Sequence, residues 1–368
     1  MGLNANIFKE YDIRGIADID FEEKNLNRIS YALGMFFSKR GVSDIVVSGD
    51  VRPSTERIKN QLVSRLMNCG FTVYDCGYIP TPLNYFAVKI LGKSAGIMVT
   101  ASHNPSEYNG FKITYGDSTV YGKDIQEIYD YARQNEYGMS EARGELITID
   151  NILEQYVEYV CERIKPARKL KVVLDAGNGV AGPAASTLFK ALGCETVELF
   201  CNPDPNFPNH HPDPTIPENL VSLQKKVLDT GADLGLAFDG DGDRLGVIDE
   251  KGNIIWGDKL QILFWRELLP KYPAAEVLVE VKCSQALFDE AKKLGGKPFF
   301  YKTGHSLIKA KMRERNLLFA GEMSGHMFFA DEYFGYDDAL YAGARLIRLL
   351  ASKDGKLSEL FKDVPDYF

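Results

Sequence analysis

The chain has 368 residues, 45% of them hydrophobic and 26% charged, and its 43 Lys+Arg against 51 Asp+Glu leave a formal net charge of −8. This composition excludes wholesale disorder, a collagen-like chain and a small disulfide scaffold, and the length predicts two or three domains. The acidic balance disfavours nucleic acid or an anionic membrane as partner, since both require a positive field. Small phosphate ligands remain open if cations gather in one cleft.

The N-terminus (MGLNANIFKEYD) lacks the charged-then-apolar pattern of a signal peptide. No apolar run approaches the roughly 18–20 residues of a membrane span. Gly2 follows Met1, but Asn6 stands where N-myristoylation requires Ser or Thr. The cysteines (Cys69, Cys76, Cys161, Cys194, Cys201, Cys283) form no C-x-x-C. Buried reduced thiols in a cytoplasmic protein are expected, rather than a zinc or redox site.

Three segments share one layout. A β-branched run ends in a polar loop at Asp44–Arg52, Lys169–Gly179 and Glu276–Ser284. Helical spacing follows, as in Ile58, Leu62, Leu66 and in Ala184, Leu188, Leu192. A glycine and a second strand come next, then a third apolar run: Ala95–Thr100, Asp233–Phe238 and Leu317–Ala320. This spacing predicts three similar α/β domains, each with a mixed, partly parallel sheet flanked by helices, at 1–150, 151–253 and 254–368. Ligands gather at the carboxyl ends of strands. The loops after the third runs, ASHNP (Ala101–Pro105), DGDGDR (Asp239–Arg244) and GEMSGH (Gly321–His326), are therefore expected to face one cleft.

In the second of these loops Asp239, Asp241 and Asp243 alternate with glycines. Their mutual repulsion is resolved by a hard divalent cation, and Mg²⁺ characteristically shares a phosphate oxygen. An EF-hand is rejected even though Glu250 falls at loop position 12, because Arg244 occupies the position of the turn glycine. Ser102 follows a strand with His103 beside it, outside any G-x-S-x-G elbow. The alternative is a turn in which Ser102, Asn104 and Pro105 only set dihedrals. Gly177, Gly179 and Gly182 form a literal G-x-G-x-x-G, with Glu195 placed near a ribose-binding acid. A nicotinamide-dependent oxidoreductase is the rival this motif raises, although it leaves the three loops without a role. In GEMSGH, Glu322, Ser324 and His326 suit recognition of a sugar diol. Arg14, Lys112, Lys282 and His305 stand at further predicted loops.

Taken together, YDIRG (Tyr11–Gly15), TASHNPSEYNGFK (Thr100–Lys112), FDGDGDR (Phe238–Arg244), VKCS (Val281–Ser284), KTGH (Lys302–His305) and GEMSGH resemble the α-D-phosphohexomutase superfamily. GEMSGH is similar to the phosphomannomutase/phosphoglucomutase branch; phosphoglucosamine mutases more typically carry Gln where Met323 stands. The resemblance implies interconversion of hexose 1- and 6-phosphates through a hexose 1,6-bisphosphate. Ser102 would carry the phosphoryl group and, with Asp239, Asp241 and Asp243, hold Mg²⁺. Tyr11, Lys282, His305, Glu322, Met323, Ser324, Gly325 and His326 would bind the sugar phosphate. Glu322 and Ser324 would read its 3- and 4-hydroxyls. Arg14, His103, Lys112 and Arg244 would surround the transferring group, with Lys112, His305 or His326 moving protons.

A phosphoserine adds about −1.5 to −2 charge. Beside three carboxylates the loops would total roughly −5, which Mg²⁺ and the cations Arg14, Lys112, Arg244 and Lys282 would offset. Since Glu322 and the acidic loop come from different domains, a change at Glu322 is expected to spare metal binding. The family has a fourth domain with a Ser/Thr/Arg-rich phosphate loop. Here the sequence stops at Asp363–Phe368, near the family's hinge, so that domain is read as absent, and an inactive sugar-phosphate-binding fragment stands as a further alternative.

Overall fold

The fold is that of a computed structural model describing residues 3–134 and 143–365; Gly2 and residues 366–368 lie outside the described residues. The chain divides into two compact units, Met1–Tyr156 with Asp204–Asn206, and Val157–Pro203 with Phe207–Phe368.

The first unit contains β1 (Ile13–Ile16), α1 (Ala17–Asp20), α2 (Glu23–Ser38), β2 (Asp44–Gly49), α3 (Thr55–Asn68), β3 (Thr72–Tyr78), α4 (Thr81–Ile90), β4 (Ala95–Val99), β5 (Tyr108–Tyr115), β6 (Ser118–Thr119), α5 (Lys123–Arg133) and β7 (Leu146–Thr148). Its sheet runs β1-β5-β4-β2-β3-β7, with β6 beside β5. Strand β2 is parallel to β3 and β4, whereas β5 is antiparallel to β4 and β1. The sheet is therefore mixed. Strands β2 and β4 are buried on both faces, which is why they read as unbroken apolar runs. Ile29, Phe36, Val47, Leu62, Ile97 and Phe111 belong to one core with full burial. Each contributes roughly 1.5–3 kcal/mol by leaving water.

The division between units falls within α6 (Ile152–Arg163). The second unit continues with β8 (Lys171–Asp175), α7 (Ala181–Ala191), β9 (Glu195–Leu199), α8 (Pro217–Thr230), β10 (Leu234–Phe238), β11 (Leu245–Asp249) and β12 (Ile254–Ile255). Their sheet order is β12-β11-β10-β8-β9, parallel among β9, β8 and β10 and antiparallel beyond. Then follow α9 (Gly257–Leu268), β13 (Glu276–Glu280), α10 (Gln285–Lys293), β14 (Lys297–Tyr301), α11 (His305–Arg315), β15 (Phe319–Gly321), β16 (Met327–Phe329) and α12 (Ala339–Ala351). Here β13 and β14 pair in parallel, β15 and β16 pair antiparallel, and β13 packs beside β15.

Helix α12 explains why the second and third expected domains form one unit. Asp338 caps it, accepting the Tyr341 N–H at 2.8 Å. The helix then packs on α7, β10, β11 and β16. Gly343 permits that approach, since a Cβ there would lie 2.8 Å from Phe189 Cζ. Arg345, fully buried on the same helix, pairs with Asp331 at 2.9 Å and Glu267 at 3.2 Å.

All six cysteines are free thiols, four buried and two half-buried. Burial pushes Cys76 up to about 12 and Cys194 and Cys201 to about 11, which makes them poor nucleophiles. Among the described residues no helix is long and apolar enough to cross a membrane.

Candidate active site

In the first unit β4 delivers Ser102 at its carboxyl end. Ser102 is buried, with φ of 54°, a left-handed conformation uncommon for a residue with a side chain. Its N–H donates to Thr100 Oγ1 at 2.9 Å, and its Oγ lies 3.1 Å from His103 Nδ1. Arg14 on β1 sits opposite Gly110 on β5. Lys112, two residues on, shares that face, and Gly110 places no side chain between them. The Arg14 guanidinium donates to Asn104 Oδ1 at 2.7 Å and to Asp12. The loop holding Ser102 is thus tied to the first cation. Tyr11 stands half-buried just before β1.

In the second unit the acidic loop follows β10. Gly242 takes a positive φ of 79°. Asp239 Oδ1 accepts the N–H groups of Gly242, Asp243 and Arg244 at 3.0, 3.0 and 3.1 Å. Asp239, Asp241 and Asp243 are fully buried, each with an oxygen within 4.8 Å of the others. Buried carboxylates at that spacing are costly without a compensating cation, and an all-oxygen donor set suits a hard divalent ion. Burial works against the charge of Arg244, but Asp239, Asp243, Asp213 and Asp241 outweigh it and raise its pKa.

The third group of loops is gathered by two buried acids that sequence reasoning missed. Glu280, at the end of β13, accepts from Lys282 N at 3.1 Å, from Thr303 Oγ1, and from Met323 N at 3.3 Å. Glu322 Oε1 accepts Gly304 N–H at 2.7 Å, and Ser324 Oγ reaches its other oxygen at 3.4 Å. Asp337 lies 3.2 Å from His326 Nδ1, 3.4 Å from His305 Nδ1 and 2.6 Å from Lys309 Nζ. Burial opposes ionisation of Asp337, but Lys309, His305 and His326 hold it well below the usual carboxylate range. Burial and then Lys309 lower His305, keeping it neutral near pH 7. Burial also works against a charge on His326, but Asp243 and Asp337 raise its pKa. Lys282 is exposed and Met323 half-buried.

The acidic loop and GEMSGH touch directly, although the sequence assigns them to different domains. Leu245 N donates to Gly325 O at 3.0 Å, and Arg244 Nε donates to His326 Nε2 at 3.1 Å. His326 also stands 3.6 Å from Asp243 and 3.9 Å from Glu322. The two loops share a histidine because α12 closes their domains together. Gly325 has φ of 95°, and a Cβ on it would lie 2.5 Å from Leu245 O.

The glycine motif is a support and carries no cofactor. Cβ atoms on Gly177 and Gly179 would meet Pro212 and Gly240 O, each at 2.9 Å, and one on Gly182 would collide with Cys201 O. Protein fills the space a pyrophosphate needs. Glu195 pairs with Lys171 at the opposite end of β8 from the glycines. Glu250 accepts from Ser358 Oγ at 2.5 Å, so no EF-hand forms. What the motif does is brace the acidic loop: Val180 N donates to Gly240 O at 3.3 Å.

Comparison with known proteins agrees with this arrangement. Residues 5–139, 149–252 and 256–368 match phosphoglucomutase/phosphomannomutase alpha/beta/alpha domains I, II and III. The chain is 42% identical over 364 residues to a phosphomannomutase/phosphoglucomutase of Pseudomonas putida, covering 99% of this chain and 78% of that protein. It is 40% identical to a phosphoglucomutase of Neisseria gonorrhoeae, with 99% and 78% covered. A crystal structure of a phosphoglucomutase/phosphomannomutase family protein from Burkholderia thailandensis superimposes with a TM-score of 0.94 at 44% identity, covering 99% of this chain and 80% of that one.

Proposed function

Because the chain belongs to the phosphoglucomutase/phosphomannomutase family, we propose that it interconverts the 1- and 6-phosphates of glucose, mannose or both. Ser102 is the phosphoryl carrier and a hexose 1,6-bisphosphate the intermediate. The observation that supports this best is the direct joining of a buried three-carboxylate loop to a Glu–Ser–His loop through Arg244 and His326.

Phospho-Ser102 loses its P–Oγ bond as the phosphorus bonds to a sugar hydroxyl oxygen. The hydroxyl proton passes to a basic side chain. His305 suits that role, because it is held neutral and its Nδ1 faces Asp337 at 3.4 Å. Lys112 and His326 are the other groups assigned to proton movement. The sugar 1,6-bisphosphate then turns over, and its other phosphate returns a phosphoryl to Ser102. A reader of two hydroxyls, Glu322 with Ser324, tolerates that turn if O3 and O4 exchange places. It leaves the 2-hydroxyl unread, so glucose and mannose both fit. Mg²⁺ held by Asp239, Asp241 and Asp243 supplies stabilisation of phosphoryl charge when bound. Arg14, His103, Lys112 and Arg244 neutralise phosphate oxygens, and Tyr11, Lys282, Met323 and Gly325 line the sugar-phosphate site.

The test is incubation with labelled glucose 1,6-bisphosphate, beside turnover of glucose 1-phosphate and mannose 1-phosphate. The parent chain takes up label and converts at least one sugar phosphate, whereas Ser102→Ala does neither. Undiminished labelling of the alanine variant overturns the role of Ser102. Failure of the parent to convert either substrate overturns the mutase reading.

A further inference from the structure

Arg52 is buried to 3% exposure and has no part in the chemistry above. Its guanidinium donates Nε to Asp50 Oδ2 at 3.0 Å, Nη2 to the carbonyls of Ser102 and Asn104 at 2.6 and 2.5 Å, and Nη1 to those of Pro105 and Tyr108 at 2.5 and 3.1 Å. Asp50 accepts in turn from Arg52 N at 3.0 Å, Thr55 Oγ1 at 2.6 Å and Thr100 Oγ1 at 2.7 Å. Thr100 Oγ1 then receives the N–H of Ser102. Both main-chain polar groups of Ser102 therefore hang on one buried ion pair.

We propose that Arg52, balanced by Asp50, is a positioning residue that holds Ser102 in its left-handed conformation and so aims Oγ for phosphoryl transfer. The inference rests on the mutase reading. A side-chain-bearing residue does not hold positive φ unaided, and four carbonyls turned inward from an irregular loop need donors. A planar guanidinium with five N–H groups serves all four and Asp50 together. An ammonium, a compact charge with three donors, does not. The loop between residues 102 and 108 is thereby wrapped around a fixed fork, and Ser102 Oγ stays beside His103 through each transfer.

Arg52→Lys and Thr100→Val test this against the parent chain. Turnover of glucose 1-phosphate primed with glucose 1,6-bisphosphate gives kcat and KM, and amide hydrogen exchange is followed across residues 100–110. Misplacement of a reacting atom by about 1 Å costs about 100-fold, so kcat falls about 10- to 100-fold with KM within about twofold, and exchange in the loop accelerates. A kcat within about twofold of the parent overturns the proposal, as does unchanged loop exchange. Exchange needs no turnover, so an inactive parent strikes the mutase reading while the loop claim stands or falls on exchange alone. If Arg52→Lys does not fold, Thr100→Val, which keeps the shape and removes the acceptor for Ser102 N–H together with one donor to Asp50, carries both readouts.

Discussion

Arg244 Nε lies 3.1 Å from His326 Nε2. A guanidinium only donates, so Nε2 accepts, and neutral His326 carries its proton on Nδ1. That nitrogen faces Asp337 at 3.2 Å and Asp243 at 3.6 Å. One imidazole thus meets the acidic loop at both nitrogens and Asp337, just before α12, at Nδ1. Disturbance of either loop reaches the other through this ring and through the Leu245 N–Gly325 O bond.

Asp241→Asn tests the acidic loop. It removes one of three buried carboxylates and relieves their repulsion. Without metal the melting temperature holds or rises. Added Mg²⁺ stabilises the parent by mass action and the variant much less. Thermal melts across a magnesium titration decide this; equal shifts in the two proteins remove the metal assignment.

Asp337→Asn breaks a buried pair with Lys309 at 2.6 Å. Stranding a buried ammonium costs about 3–5 kcal/mol. Lys309→Met in the same chain recovers a good part of that, and neither variant restores the carboxylate facing His305. A double-mutant cycle in urea, with kcat measured on each member, separates the roles: stability returns in the double variant and turnover does not.

Gly325→Ala places a methyl 2.5 Å from Leu245 O at a φ of 95°. Strain of this kind costs about 1–3 kcal/mol. Because the joint serves both loops, the magnesium-induced stabilisation falls as well. A variant with unchanged stability and unchanged response to Mg²⁺ shows that the joint carries no load.

His210 donates to buried Asp175 with Nε2 3.1 Å from both oxygens. Burial opposes its charge, but Asp175 and the His211 carbonyl outweigh burial and raise its pKa above 6.5. A raised folded value favours folding when the imidazole is charged. The contribution is therefore complete below pH about 6.5 and is lost as pH rises through the folded value. His210→Asn costs about 1–3 kcal/mol, more at pH 5.5 than at pH 8.5. Urea midpoints at the two pH values check the sign.

Much of the architecture was legible because buried strands announce themselves. The runs around Ile45–Val47, Ile97–Val99 and Leu234–Phe238 all became strands, and the last two lead into the Ser102 loop and the acidic loop. Clustered polar residues such as the acidic triad were legible for the same local reason. Arg52, Glu280 and Asp337 were not. Each acts on groups distant in sequence: Glu280 on Thr303 and Met323, Asp337 on His305 and Lys309. A lone buried ion has no periodicity to betray it. The coupling of GEMSGH to the acidic loop was hidden too, since α12's packing on two sheets follows from three-dimensional closure.

Glu280 has a consequence for any exchange of the GEMSGH loop. One carboxylate collects the main chain after β13, the threonine before α11 and the main chain of Met323. An altered loop that shifts any of these donors takes a bond from the acid that also holds the other two. A graft of GEMSGH alone therefore carries the letters of the motif without the shared acid that sets its posture.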